Sequence, residues 1–347
     1  MKGLKIFSIG FSSYLVLSLY ANYFDKNLRS MIYSHGLEPS MLVLGTVYAL
    51  VFFAFFALGY MSGIKLPPAL LATLFLVLSL RDLFVIPILA LLTLLAYRMK
   101  LNAPRLFAEY VLLVSLLIPV VLYVVVGVPL IENSLRYKLV APLVLAAILA
   151  TIGITYSTIS FRWKTFLVGV YMLLFFLGTF RSLILLVYLA YFLDTYFRYP
   201  QFRRLLLPLS TIPVIVIVAM SGGLEAILIR IGFTFLVFHN LVRLSVPWGL
   251  FHGALLFSDN PRAMVASLFG ASTHYTYFFF GQAIADFGIF GVVEAFFLGM
   301  LLRESEKTLE SFVVVLSIML YALDPGIDAF LLLFILGILL FSSLETH

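Results

Sequence analysis

Met41-Leu42-Val43-Leu44-Gly45-Thr46-Val47-Tyr48-Ala49-Leu50-Val51-Phe52-Phe53-Ala54-Phe55-Phe56-Ala57-Leu58-Gly59-Tyr60-Met61-Ser62-Gly63 is a run of 23 residues without a charge. As a helix it is about 34 Å long, enough to cross a hydrocarbon core of about 30 Å. Comparable apolar runs of about 15 to 25 residues recur from end to end, the pattern of a polytopic helical membrane protein. Barrel strands would alternate apolar and polar residues over about ten positions, which these runs do not. Composition agrees: 63% of the 347 residues are hydrophobic, 11% are charged, and mean hydropathy is +1.15. A soluble domain carries about 25% charged residues, so this chain cannot cover its surface with polar groups. There are no cysteines, which removes disulfides, thiolate metal sites and cysteine nucleophiles.

Polar breaks divide the sequence into twelve expected spans, near 4–24, 41–63, 66–80, 83–97, 105–128, 139–156, 164–179, 182–197, 205–220, 278–302, 308–323 and 327–342. The first lacks a small-residue cleavage site and reads as a retained anchor. Segments 66–97 and 164–197 could each form one long helix, but charge favours two. With twelve spans and both termini cytoplasmic, 13 of the 22 basic residues flank cytoplasmic helix ends, among them Lys2, Lys65, Arg98, Arg162, Lys164, Arg203 and Arg303. Fusing 66–97 would move Arg98, Lys100 and Arg105 outside. The expected fold is a single all-α membrane domain over 1–347, with one long external loop at about 221–277 between spans nine and ten.

The external face keeps arginines that the positive-inside rule discourages: Arg81, Arg136, Arg181, Arg230, Arg243 and Arg262. Arg81 can pair with its neighbour Asp82. The long loop is too apolar for disorder, with helical spacing over Leu224–Val242, and reads as helices folded onto or dipping into the outer face. It gathers Arg230, His239, Arg243, His252, Asp259, Arg262 and His274. Arginines converging from several elements suit a phosphate or pyrophosphate, because the planar fork grips two oxygens at once. The next span opens Gly281-Gln282-Ala283-Ile284-Ala285-Asp286-Phe287-Gly288-Ile289-Phe290-Gly291. Asp286 there is expected to face the loop's arginines, in catalysis or in a salt bridge to Arg243 or Arg262. Gly291, Ala295 and Gly299 make a small-residue stripe for close helix packing.

Several function classes lack their signatures. There is no GxxxxGK[ST] loop, HExxH or GxSxG, and no external DxD pair; Asp324 and Asp328 are four apart around Pro325-Gly326. Metal-dependent glycosyl transfer through a carboxylate clamp is therefore disfavoured. A transporter would place its polar residues at mid-membrane rather than in one external loop.

Phe176-Leu177-Gly178-Thr179-Phe180-Arg181-Ser182, Arg230-Ile231-Gly232-Phe233-Thr234, His252-Gly253, Pro261-Arg262, Ser272-Thr273-His274 and Asp286–Gly291 follow one another in an order and spacing that resembles the O-antigen, or oligosaccharide repeat-unit, polymerases (Wzy-type) and the related O-antigen ligases. The resemblance lies mainly in the C-terminal half. It implies a GT-C-like membrane glycosyltransferase at the outer face of the cytoplasmic membrane. Its substrate would be a polyprenyl-pyrophosphate-linked oligosaccharide, with no cofactor, no metal and no nucleic acid. A chain-length regulator or a flippase would be a partner, beside the membrane lipids. On that reading Arg181, Arg230, Arg243 and Arg262 bind the pyrophosphate. His252 is the first candidate base, with Asp286 second and His274 third; His239 is a further candidate. A ligase, or a flippase moving the same lipid-linked unit without chemistry, is the alternative.

Overall fold

Helix is the secondary structure that satisfies every backbone group of an apolar segment without help from water, and this chain uses it throughout. The computed structural model describes residues 2–33, 37, 42–80 and 85–344; Arg81 and Asp82 fall outside them. Among the described residues there is no strand. In order the helices are α1 (Lys2–Tyr23), α2 (Lys26–Tyr33), α3 (Val43–Met61), α4 (Pro68–Ser79), α5 (Val85–Arg98), α6 (Ala103–Leu106), α7 (Ala108–Val125), α8 (Arg136–Tyr156), α9 (Phe161–Leu177), α10 (Arg181–Arg198), α11 (Arg203–Ser221), α12 (Leu224–Ser245), α13 (Pro261–Leu268), α14 (Gly281–Phe287), α15 (Val292–Ser305), α16 (Leu309–Tyr321) and α17 (Ala329–Ser342).

Among the described residues, seven helical segments are long and apolar enough to cross a membrane, and four further apolar helices have 10 to 17 residues. Length alone therefore does not yield the expected twelve spans. The two doubtful stretches do divide: 164–197 is α9 and α10, and α4 and α5 are separate helices. The stretch expected as helices folded onto or dipping into the outer face begins with one continuous helix, Leu224–Ser245, which is long and apolar enough to cross a membrane. Its residues 234–242 are all buried, His239 among them, while Arg230 is half-buried and Arg243 exposed.

Contacts define two ends of the bundle. At one, the Gly3 amide and the Tyr60 hydroxyl donate to Glu306 (2.7 and 2.5 Å). Buried Lys164 pairs there with buried Asp194 at 2.8 Å, and Arg198 bridges Asp194 (2.9 Å) to Glu310 (3.0 Å). We call this the basic end, since Lys2, Lys164, Arg198, Arg303 and Lys307 all meet partners there. The opposite, loop-bearing end holds the α9–α10, α11–α12 and α16–α17 turns.

The stripe of small residues serves packing as the spacing indicates. A Cβ on Gly299 would fall on the Phe56 carbonyl, and one on Gly59 on the Phe296 carbonyl, so α3 and α15 touch backbone to backbone. Around this pair Phe7, Phe11, Phe53 and Phe56 interleave with Phe278, Phe279 and Phe280, with Phe7–Phe56 and Phe11–Phe53 centroids both 4.5 Å apart. Such offset and tilted rings are favourable well beyond their buried area. The segment after the loop is thereby anchored deep in the bundle.

The expected span 278–302 is broken. α14 stops at Phe287, Gly288 adopts φ +57°, and a 3₁₀ turn over Gly288–Gly291 leads into α15. The break leaves carbonyls without helical partners, and the loop supplies donors. Leu250 and Phe251 amides donate to the Ala285 carbonyl (2.7 and 3.1 Å), His252 N to the Asp286 carbonyl (3.0 Å), and Ile289 N to Pro247 O (3.0 Å). A side chain at Gly249 or Gly288 would collide with this docked backbone.

Candidate functional site

Three helix starts and one turn bring the arginines together at the loop-bearing end. Arg181 opens α10 after the Gly178-Thr179-Phe180 turn, in which Thr179 takes φ +61°. Arg230 lies in the second turn of α12. Arg262 follows the helix-starting Pro261 of α13, whose first turn is capped by the Asn260 side chain on Ala263 N (3.3 Å). The α16–α17 turn, Asp324-Pro325-Gly326-Ile327-Asp328, reaches them because Gly326 (φ +83°) has no side chain to strike the Tyr277 ring.

Asp324 is the hub. Its Oδ2 accepts Arg230 Nε (2.9 Å) and Nη2 (2.7 Å), and its Oδ1 accepts the Tyr14 hydroxyl (3.0 Å) and Thr234 Oγ1 (3.4 Å). Burial alone would raise this carboxyl's pKa, but the Arg230 charge and its hydrogen bonds, with Tyr14 and Arg181, hold it below the usual range. Arg230 thus spends one edge of its fork on Asp324 and keeps Nη1 available. Arg181 Nη1 donates to the Ser221 hydroxyl (2.7 Å), a neutral partner. Arg262 lies 4.0 Å from Asp328, whose other oxygen caps α17 at Leu331 N (2.9 Å), and its buried Nε has no partner.

A fourth arginine completes the group. Arg136, at the start of α8, stacks its guanidinium 5.2 Å over the Phe180 ring, next in sequence to Arg181. Arg136 and Arg181 each lie close enough to Arg230 for their charges to repel, as does Arg262. Four arginines against the two carboxylates Asp324 and Asp328 leave a surplus of positive charge, which a dianionic group would neutralise.

Beneath Arg181 and Arg230 lies a cavity of about 470 Å³ between α1, α10, α11, α12 and α16. Its walls are apolar, formed by Ile9, Leu17, Leu185, Ile217, Ile227 and Leu320, while the two arginines and Asp324 stand at its polar edge. The volume falls within the range usual for small-molecule sites, about 300–1,000 Å³. A cationic head over an apolar pocket matches an amphiphile whose charged group is anionic.

The remaining expected residues divide clearly. Of the histidines, His274 is beside the arginines: its ring stacks on Tyr137 (5.4 Å), its Nε2 meets Asn260 Nδ2 (2.9 Å), and burial together with the Arg262 charge lowers its pKa. His252 is exposed, with φ +50°, and joins no arginine. His239 is buried and its Nδ1 accepts the Gly45 amide (3.2 Å), a packing position. Arg243 lies thirteen residues along α12 from Arg230, a helical rise of about 20 Å, and stands apart from the cluster.

Asp286 is the clearest correction. It was expected to face the arginines, but its carboxylate is fully buried and accepts four hydrogen bonds from other donors. These are the amides of Gly253 (3.1 Å), Leu255 (2.9 Å) and Leu256 (2.8 Å), and Gln282 Nε2 (2.8 Å). It fastens the 253–256 turn to the broken helix. Arg136 and Asp324 are named in the sequence reading without a place in the site, and Tyr14 is not singled out there.

The O-antigen polymerase family model matches residues 6–342. That span includes all four arginines, the apolar cavity and the broken helix. No curated protein and no solved structure matches the chain significantly. The chain belongs to the O-antigen polymerase family, the multi-pass membrane proteins of polysaccharide biosynthesis, a family that implies a lipid-linked oligosaccharide as substrate.

Proposed function

We propose that this protein polymerises polyprenyl-pyrophosphate-linked oligosaccharide units by metal-independent glycosyl transfer at the outer face of the cytoplasmic membrane. The observation that carries the proposal is the placement of Arg181 and Arg230 at the polar edge of an otherwise apolar cavity. The lipid begins in that cavity and the pyrophosphate rests on Arg181, Arg230 and Arg136, with Arg262 at the flank. Orientation follows from charge: Lys2, Lys164, Arg198, Arg203 and Arg303 gather at the far end, which the positive-inside rule makes cytoplasmic.

The acceptor hydroxyl oxygen attacks the anomeric carbon of the donor saccharide. The bond from that carbon to the pyrophosphate oxygen breaks, and its electron pair leaves with the polyprenyl pyrophosphate. Preorganised arginines stabilise that charge as it grows, without reorganising at the moment of reaction. The hydroxyl proton passes to a base. His274 replaces His252 and Asp286 in that role, because it alone of the three adjoins an arginine of the cluster. Asn260 Oδ1 is committed to the α13 cap, so Nδ2 donates to His274 Nε2 and places the ring's lone pair there. The acceptor hydroxyl takes Asn260's place. Remote binding of the isoprenoid contributes energy that the reacting centre spends on orientation.

The test is the size profile of lipid-linked saccharides in cells producing the intact protein or Arg230→Ala. Single repeat units accumulating on the carrier, with loss of long chains, support the polymerase. Unchanged long chains in the variant would remove Arg230 from the reaction.

A further inference from the structure

Tyr137 follows Arg136 in the first turn of α8, yet its surroundings differ sharply from those of the cation cluster. Its ring is 64% exposed, although it belongs to a structured helix start. It stacks nearly parallel on His274, with an interplanar angle of 21°. Asn260 adjoins the same histidine. An exposed aromatic ring, a histidine and an amide thus share one small surface at the loop-bearing end. Along the chain this surface touches the arginines at two points, through Arg136 and through Arg262.

We propose that Tyr137, His274 and Asn260 form the subsite for the terminal sugar of the acceptor. The inference rests on the reading of Arg181 and Arg230 as the donor's pyrophosphate site. A pyranose is amphiphilic in a particular way: one face presents C–H groups and the rim presents hydroxyls. The C–H face packs on an aromatic ring, as apolar groups do on such surfaces, and the rim hydroxyls bond to side chains beside the ring. Tyr137 supplies the ring, Asn260 supplies an amide at its edge, and His274 receives the hydroxyl that reacts. A sugar seated there brings a hydroxyl to His274 while a pyrophosphate occupies the neighbouring arginines. The two substrates are thereby separated by one residue of α8: Arg136 on the donor side and Tyr137 on the acceptor side.

The full-length protein in lipid nanodiscs tests this. The probe is the free repeat-unit oligosaccharide, cleaved from the lipid carrier of the producing cells, observed by saturation-transfer NMR. Tyr137→Ala is expected to weaken its binding about tenfold, the loss of one aromatic contact, whereas Tyr137→Trp retains it. The same Tyr137→Ala variant raises the KM for the lipid-linked acceptor by a similar factor, with the KM for the long-chain donor unchanged. Wild-type oligosaccharide binding by Tyr137→Ala would overturn the proposal and leave Tyr137 as an interfacial anchor in the headgroups. Equal loss in the Ala and Trp variants would overturn it as well, since the ring would then matter only as local structure. Arg230→Lys separates the two levels. It is expected to bind the oligosaccharide normally while turnover collapses; full turnover in that variant refutes the pyrophosphate reading and leaves the NMR result on Tyr137 to stand or fall alone.

Discussion

Replacing Arg230 by lysine preserves charge and length while removing the fork, and the consequences can be worked from its contacts. Nε and Nη2 are held by Asp324 at 2.9 and 2.7 Å, leaving Nη1 for the substrate. A lysine ammonium that keeps Asp324 as its partner cannot also present a fixed second donor to a phosphate oxygen. Loss of one preorganised donor to a developing oxyanion costs about 2.7–4 kcal/mol, or about 10²–10³ in kcat. Loss of one charge-assisted bond to Asp324 would cost about 1.5–3 kcal/mol if buried. With 32% of the Arg230 side chain exposed, solvent screening lowers that to about 1 kcal/mol. The variant is therefore expected to fold, with a Tm a few degrees lower at most, and to be nearly inactive. The assay is single-turnover release of polyprenyl pyrophosphate from a lipid-linked donor in nanodiscs, alongside thermal unfolding of the same sample. A rate within about threefold of wild type refutes the reasoning, because it would leave under 1 kcal/mol for the fork.

Other expectations follow from the same geometry. His274 has its pKa lowered by burial and by Arg262, so its neutral form persists as pH falls through the ordinary histidine value of about 6.5. The acid limb of kcat/KM lies below that value, and Arg262→Gln moves it upward; an acid limb unchanged in Arg262→Gln would remove His274 as the base. Because the fold disfavours protonated His274, the unfolded chain binds more protons below pH 6.5, and stability there falls with acidification rather than rising. Asp286→Asn faces an amide against backbone donors, leaving one or two unsatisfied at about 1–3 kcal/mol each, and limited proteolysis should detect release of the 250–257 turn. A variant as protease-resistant as wild type would contradict the clamp. Lys164→Met strands Asp194 in the interior and should cost about 3–5 kcal/mol in denaturant unfolding, toward the lower end because Arg198 remains. Retention of wild-type stability would show the pair to be dispensable.

What the sequence reveals depends on the range over which a feature is encoded. The apolar runs at 2–23, 43–61 and 108–125 are local, and each appears as a helix within a few residues of its expected bounds. The division of 164–197 was also legible, since charge at Arg162, Lys164 and Arg198 demands a turn between. The helical spacing over Leu224–Val242 was legible too, but not that residues 234–242 would be uniformly buried in the bundle, since burial depends on partners distant in sequence. The break at Gly288 was hidden: it depends on the Ala285 and Asp286 carbonyls being satisfied by the amides of Leu250, Phe251 and His252, far earlier in the chain. Arg181, Arg230 and Arg262 could be picked from their positions in apolar surroundings. That Asp324 would be the partner of Arg230 could not be read, because no spacing rule relates residues ninety-four apart. Asp286 looked catalytic for the opposite reason. A buried acid in a span attracts a functional reading, and only the three backbone amides disclose that its charge is consumed in holding a turn.

The carbonyl-to-glycine contact between α3 and α15 also sets how far these two helices can move against each other. Two helices locked at the backbone behave as a stator, since sliding either would drive atoms together. α11, which lines the cavity through Ile217, has the opposite character: it is the least buried of the crossing-length helices among the described residues, contains Pro208 and Pro213, and ends at Gly222 and Gly223, where added side chains would meet nothing. The backbone-locked pair stands outside the lining of the 470 Å³ chamber, whereas α11 contributes Ile217 to it and leaves most of its own surface to the surroundings; on the proposed reading a carrier tail too long for the chamber would leave it beside α11.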